Sequence, residues 1–129
     1  MTEYSINANL ENNYNLCNHF GNYHDNMNSK SEIHNEESII IVDFGSQFSH
    51  LIARRLREIN IYSILISPSN DFDAVKRLNP KGIILSGGPY SVYDTNAPLA
   101  PDWVYTSNLP ILGICYGMQL ITHQLNGKV

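Results

Sequence analysis

From Ser38 onward, short apolar runs alternate with segments whose apolar residues recur at helical spacing. Ile39-Ile40-Ile41-Val42 is an unbroken β-branched run, the pattern of a strand buried on both faces. It ends in Asp43-Phe44-Gly45-Ser46, where Gly45 supplies a turn and Ser46 is the expected N-cap of a helix. Phe48, Leu51, Ile52, Leu56 and Ile59 then mark the apolar face of that helix, with charges between them. Tyr62-Ser63-Ile64-Leu65-Ile66 reads as a second strand, stopped by Ser67-Pro68-Ser69. Residues 71–78 make a short helix on Phe72, Val75 and Leu78. Gly82-Ile83-Ile84-Leu85 is a third strand, residues 89–107 a long connection broken by Pro98 and Pro101, and Ile111-Leu112-Gly113-Ile114 a fourth strand. A last helix is expected over 116–126, ended by Gly127. Apolar strands alternating with helices imply an α/β fold: a doubly wound, mainly parallel sheet of the flavodoxin-like kind. Ligands in such sheets sit at the carboxyl ends of the strands.

Residues 1–37 have another character. They hold ten asparagines and no helical or strand period, so an extension without fixed structure is expected there, followed by one domain over 38–129. His19, His24, His34 and Cys17 lie in this extension at spacings that fit no zinc pattern. The formal net charge of −4 gives no footing for nucleic-acid binding, and Arg54, Arg55 and Arg57 read as the solvated face of the first helix. Two cysteines are too few for a secreted disulfide scaffold of this size. No apolar run approaches a membrane span, and no signal or transit peptide is evident, so a cytoplasmic location is expected.

The chemistry gathers at two strand ends. Gly113-Ile114-Cys115-Tyr116-Gly117 has the outline of a nucleophile elbow with cysteine in place of serine. A strand that turns sharply into a helix thrusts the intervening side chain out at the top of the sheet, and small neighbours relieve the crowding. The side chain also meets the helix N-terminus, whose unpaired N–H groups favour an anion. The thiolate is the reactive form of a cysteine. The N–H of Tyr116 is placed to meet an oxyanion formed there. The second cluster is Ser86-Gly87-Gly88-Pro89, where two glycines let the backbone approach a ligand, adopt positive φ and present N–H groups to developing negative charge.

Together with Leu109-Pro110-Ile111-Leu112 before the elbow and Met118-Gln119 after it, these clusters resemble the class I glutamine amidotransferases. Asp43-Phe44-Gly45-Ser46-Gln47, Leu51-Ile52-Ala53-Arg54-Arg55 and Gly88-Pro89-Tyr90-Ser91-Val92-Tyr93 look like the GMP synthases within that class. The resemblance runs from about Ile39 to Val129. It implies that the thiolate of Cys115 attacks the side-chain amide of glutamine, that the N–H groups of Gly88 and Tyr116 hold the oxyanion, and that Gly87 and Gln119 help to bind the substrate. Ammonia would then pass to an ATP-pyrophosphatase or synthetase domain that aminates XMP with ATP and magnesium. The resemblance further implies a homodimer for the complete enzyme and no metal or cofactor within these residues.

The family completes its triad with a histidine and a glutamate in an H-x-E segment well downstream, which this sequence does not contain. His123 falls eight residues past Cys115, about 12 Å along a helix axis, and His50 sits on another helix. The ending Asn126-Gly127-Lys128-Val129 reads as a helix stop followed by the start of another strand. The expectation is an N-terminal piece of a longer enzyme, poorly soluble and without glutaminase activity by itself. Two other readings share the motifs: the amidotransferase subunit of an anthranilate or aminodeoxychorismate type of synthase, which the D-F-G-S-Q opening disfavours, and a non-catalytic remnant or binding module.

Overall fold

The computed structural model describes residues 36–129; the asparagine-rich segment and its histidines lie outside the described residues. Within them are strands β1 (Ser38–Val42), β2 (Tyr62–Ile66), β3 (Pro80–Leu85) and β4 (Ile111–Gly113). The helices are α1 (Ser49–Glu58), α2 (Phe72–Lys76), α3 (Asp102–Thr106) and α4 (Tyr116–Gln124). The strands pair in parallel throughout, in the order β2-β1-β3-β4. The doubly wound α/β expectation is therefore met.

Alternation along the strands divides the core. Ile40, Val42, Ile64, Ile66, Ile83 and Leu85 join one cluster with Val75, Val104, Tyr116 and Leu120 of α2, α3 and α4. Ile41, Leu65 and Ile84 join Ala53 of α1 on the other face. With helices on both faces, the central strands must be apolar throughout, which explains their unbroken β-branched runs. Each fully buried aliphatic side chain contributes about 1.5–3 kcal/mol of transfer free energy.

Several local expectations change. The N-cap of α1 is Phe48, not Ser46; the Ser46 Oγ accepts the Phe48 N–H at 3.0 Å in the turn that precedes the helix, while Asp43 Oδ1 accepts the Ser49 hydroxyl at 2.7 Å. The apolar face read for this helix is rotated. Phe48, Leu51 and Ile59 are exposed, whereas Ser49 and Ala53 are buried, because small side chains let the helix approach the sheet. Arg54 and Arg55 are solvated and pair with Glu58. Arg57 is not: its guanidinium donates to the Ser63 carbonyl at 2.9 Å. The long connection contains α3, whose Trp103 stacks on Phe72 of α2 with ring centroids 5.5 Å apart. Leu112 on edge strand β4 is exposed, since α1 packs chiefly against β2 at the far side of that face.

Gly127 does not end the last helix; Asn126 does, with φ 65°. Each of these helices is followed within three residues by an asparagine in the left-handed region: Asn60, Asn79, Asn108 and Asn126. After α1 and α4 the ends close as Schellman motifs. Ile61 and Asn60 donate to the carbonyls of Leu56 and Arg57, and Gly127 and Asn126 donate to those of Thr122 and His123.

Candidate active site

The chain leaves β1 for β2 on one side and reaches β3 on the other, so the carboxyl ends of β1 and β3 border a topological switch point. Three connections meet there. A Cβ placed on Gly87, in the loop after β3, would lie 3.5 Å from Ser46 Oγ in the loop after β1 and 3.6 Å from Cys115 Cβ after β4. The strand order, which the residues alone left open, thus brings the Ser86-Gly87-Gly88-Pro89 loop against the elbow.

Cys115 is the N-cap of α4 with φ 51° and ψ −112°, a region that a non-glycine residue seldom occupies. Its side chain is exposed at the sheet end. The strand turns into the helix within two residues because the elbow is sewn to β3: Ile114 N–H donates to Leu85 O at 2.9 Å and Gly117 N–H to Ser86 O at 3.0 Å. The flanking glycines leave no alternative. A Cβ on Gly117 would lie 2.2 Å from the Leu85 carbonyl oxygen, and one on Gly113 would lie 2.7 Å from the Met118 backbone.

Gly87 and Gly88 depart from expectation in one respect. Neither adopts positive φ, so neither glycine is required by a left-handed turn. A Cβ on Gly88 would lie 2.6 Å from the Phe44 carbonyl oxygen. Among the described residues, no acceptor takes the N–H of Gly88 or of Tyr116. Two backbone donors are thus left unengaged near the thiol, one in the loop after β3 and one on the first residue of α4.

Gln119 lies on α4 four residues after Cys115, hence one turn above it on the same face, and is half-buried. Its backbone N–H is engaged within the helix, donating to Cys115 O at 3.2 Å. The Tyr116 side chain points away from the thiol, into the core. Its ring meets Phe44 edge-on with centroids 5.5 Å apart, and its hydroxyl donates to Pro98 O at 2.7 Å. Burial, then the charges of Asp94 and Tyr90, raise the Tyr116 phenol above its ordinary value. Neither histidine joins the site: His50 is exposed on α1, and His123 packs edge-on against Tyr93. No group of three His, Cys, Asp or Glu among the described residues could hold a metal ion. No helix of the described residues is long and apolar enough to cross a membrane. The residue that motif reading passed over is Ser86, buried beneath the Gly87–Gly88 peptide; its only sequence signal is its place between the strand and the glycine pair.

The class-I glutamine amidotransferase family model matches residues 40–129, which include all three loops of this site. The chain belongs to this family. A GMP synthase [glutamine-hydrolyzing] of Dehalococcoides mccartyi is 60% identical over 93 residues, 72% of this chain and 17% of the relative. The same enzyme of Thermomicrobium roseum is 56% identical over 93 residues, and that of Prochlorococcus marinus 53% over 102 residues. The chain spans 17–19% of the length of these curated relatives. Among solved structures, a GMP synthase subunit from Thermoplasma acidophilum superposes with a TM-score of 0.56 and 32% identity. That match covers 71% of this chain and 46% of the other. Amidotransferase membership and the α/β architecture, both implied by the motifs, are thus established.

Proposed function

We propose that this chain is part of the glutamine-hydrolysing domain of a GMP synthase, with Cys115 as the nucleophile. The observation that carries the reading is the strained Cys115 at the N-terminus of α4, with the N–H groups of Tyr116 next to it and of Gly88 in the loop after β3 both unengaged among the described residues. Strain at a single exposed residue, held by hydrogen bonds on either side, is the signature of a site organised for chemistry rather than stability. The similarity to GMP synthases supports XMP, rather than another acceptor, as the proposed destination of the ammonia.

In this proposal the Cys115 thiolate adds to the side-chain carbonyl carbon of glutamine. The carbonyl electron pair moves to oxygen, and the N–H groups of Gly88 and Tyr116 stabilise the resulting oxyanion. Collapse of the adduct expels ammonia once its nitrogen is protonated, leaving a glutamyl thioester that water converts to glutamate. Gly87 and Gln119 contact the substrate. In this proposal the base and acid for these proton transfers, and the site for ATP and magnesium, are supplied from outside the described residues.

The test uses the gene product expressed from its own locus, supplied with XMP, ATP, magnesium and amide-labelled nitrogen-15 glutamine. Label should appear in the 2-amino group of GMP. Cys115→Ala should abolish glutamine-dependent synthesis, and added ammonium should bypass the loss. Label released as ammonia with XMP untouched would retain the glutaminase and sink the GMP synthase assignment. Unaltered glutamine hydrolysis by Cys115→Ala would sink the nucleophile.

A further inference from the structure

Ser86 is fully buried at the end of β3, and the proposed reaction assigns it nothing. Its hydroxyl oxygen accepts the Phe44 N–H at 3.1 Å and donates its proton to the Gly87 carbonyl at 2.9 Å. Its own carbonyl accepts the Gly117 N–H at 3.0 Å. One residue is therefore tied to the loop after β1, to the elbow and to the glycine peptide.

The geometry of a trans peptide gives that last bond a consequence. No peptide among the described residues is cis, so the Gly87 carbonyl and the Gly88 N–H share a plane and point in opposite directions. Whatever holds the carbonyl aims the N–H. A peptide between two glycines has no side chain to hold it, and the Gly88 N–H itself is engaged by no acceptor among the described residues. Because the Phe44 N–H occupies a lone pair of the hydroxyl, the single Ser86 proton is directed toward the Gly87 oxygen.

We infer that Ser86 is a positioning residue that aims the Gly88 N–H at the oxyanion formed on the Cys115 adduct. The inference rests on the proposed roles of Cys115 and Gly88. It predicts that loss of the hydroxyl weakens stabilisation of a tetrahedral adduct without altering access to the thiol.

Two electrophiles separate these effects in the full-length gene product. The γ-aldehyde analogue of glutamine adds reversibly to Cys115: the S–C bond forms, the carbonyl pair moves to oxygen, and that oxygen either takes the thiol proton or is held as the oxyanion. Iodoacetamide alkylates the thiol with iodide leaving and forms no oxyanion. Ser86→Ala should weaken aldehyde binding by about tenfold to a hundredfold, the scale of a compromised oxyanion donor. Its alkylation rate at Cys115, read by site-resolved mass spectrometry, should stay within about twofold of wild type, and Ser86→Thr should restore aldehyde binding. Equal aldehyde binding by wild type and Ser86→Ala would overturn the inference and leave the site reading intact. A parallel loss of both reactions without rescue by threonine would also overturn it, since it would mark a merely structural serine. Failure of wild type to bind the aldehyde would overturn the site reading itself.

Discussion

Two strand-to-helix turns leave the same end of the sheet on either side of β3, and they are built in opposite ways. The turn from β1 to α1 takes six residues, places its positive φ of 87° on Gly45, and closes largely on its own side chains, with only its first two N–H groups reaching other segments, Asp43 to Ile66 O and Phe44 to Ser86 Oγ. Asp43 Oδ1 accepts both the Gly45 N–H and the Ser49 hydroxyl, and Ser46 Oγ accepts the Phe48 N–H. The turn from β4 to α4 takes two residues, places its positive φ of 51° on Cys115, and has no side-chain cap. The Tyr116 N–H there is left unengaged among the described residues. A turn closed largely by its own side chains serves the fold. A turn held open, strained at a nucleophile and sewn down only by its neighbours, serves a ligand.

Four substitutions break or sharpen this contrast. The largest effect is expected from Gly117→Ala, whose methyl would meet the Leu85 carbonyl oxygen in the rigid frame beneath the elbow. It should cost about 3 kcal/mol in denaturant unfolding. A loss below about 1 kcal/mol would mean that the elbow and β3 are not so closely joined. Gly45→Ala should cost about 1–2 kcal/mol, the usual penalty for a side chain in the left-handed region.

Cys115→Gly should have the opposite sign. Relief of about 1–3 kcal/mol of backbone strain outweighs the added chain entropy of glycine, about 0.5–1 kcal/mol. A net gain of about 1 kcal/mol is expected, together with complete loss of alkylation at this position. Destabilisation instead would show that the elbow stores no strain.

The smallest effect concerns Tyr116→Phe, which removes the hydrogen bond to Pro98 O. It should cost about 0.5–1 kcal/mol near neutral pH. The phenol is raised above 10.0, so the folded protein keeps this proton to higher pH than the unfolded chain does. Its contribution is fully present below pH 10.0 and is lost as pH rises through the folded value. The variant's stability should therefore fall less steeply above about pH 10 than that of wild type. Tyr105, also raised by burial, retains part of the alkaline loss in both. Parallel stability profiles for the two proteins across that range would refute the titration.

Much of the framework was legible in advance. The β-branched runs located these strands within two residues, because strands covered on both faces admit almost nothing else. The short α3 was missed because a five-residue helix between two proline-punctuated stretches has no period to display. The buried face of α1 was misjudged for a different reason. Ser49 is inside because Asp43 accepts its hydroxyl, while Phe48 and Leu51 stay outside, and apolar periodicity cannot report such a bond. The helix-ending asparagines were visible as composition. Their shared left-handed role emerged only from backbone angles.

By itself, the sequence determined the apolar strands, the glycines beside Cys115 and the motifs that named the family, since each is a local demand of geometry on residue type. Tertiary structure alone decided that the loops after β1, β3 and β4 converge, because strand order depends on how separate segments pair rather than on any one of them. It also decided that Ser86 reaches across 42 residues to Phe44 while holding its neighbour's carbonyl. Hydrogen bonds between distant segments leave no periodic trace in a chain, and in this protein they are what hold the elbow and the glycine loop together.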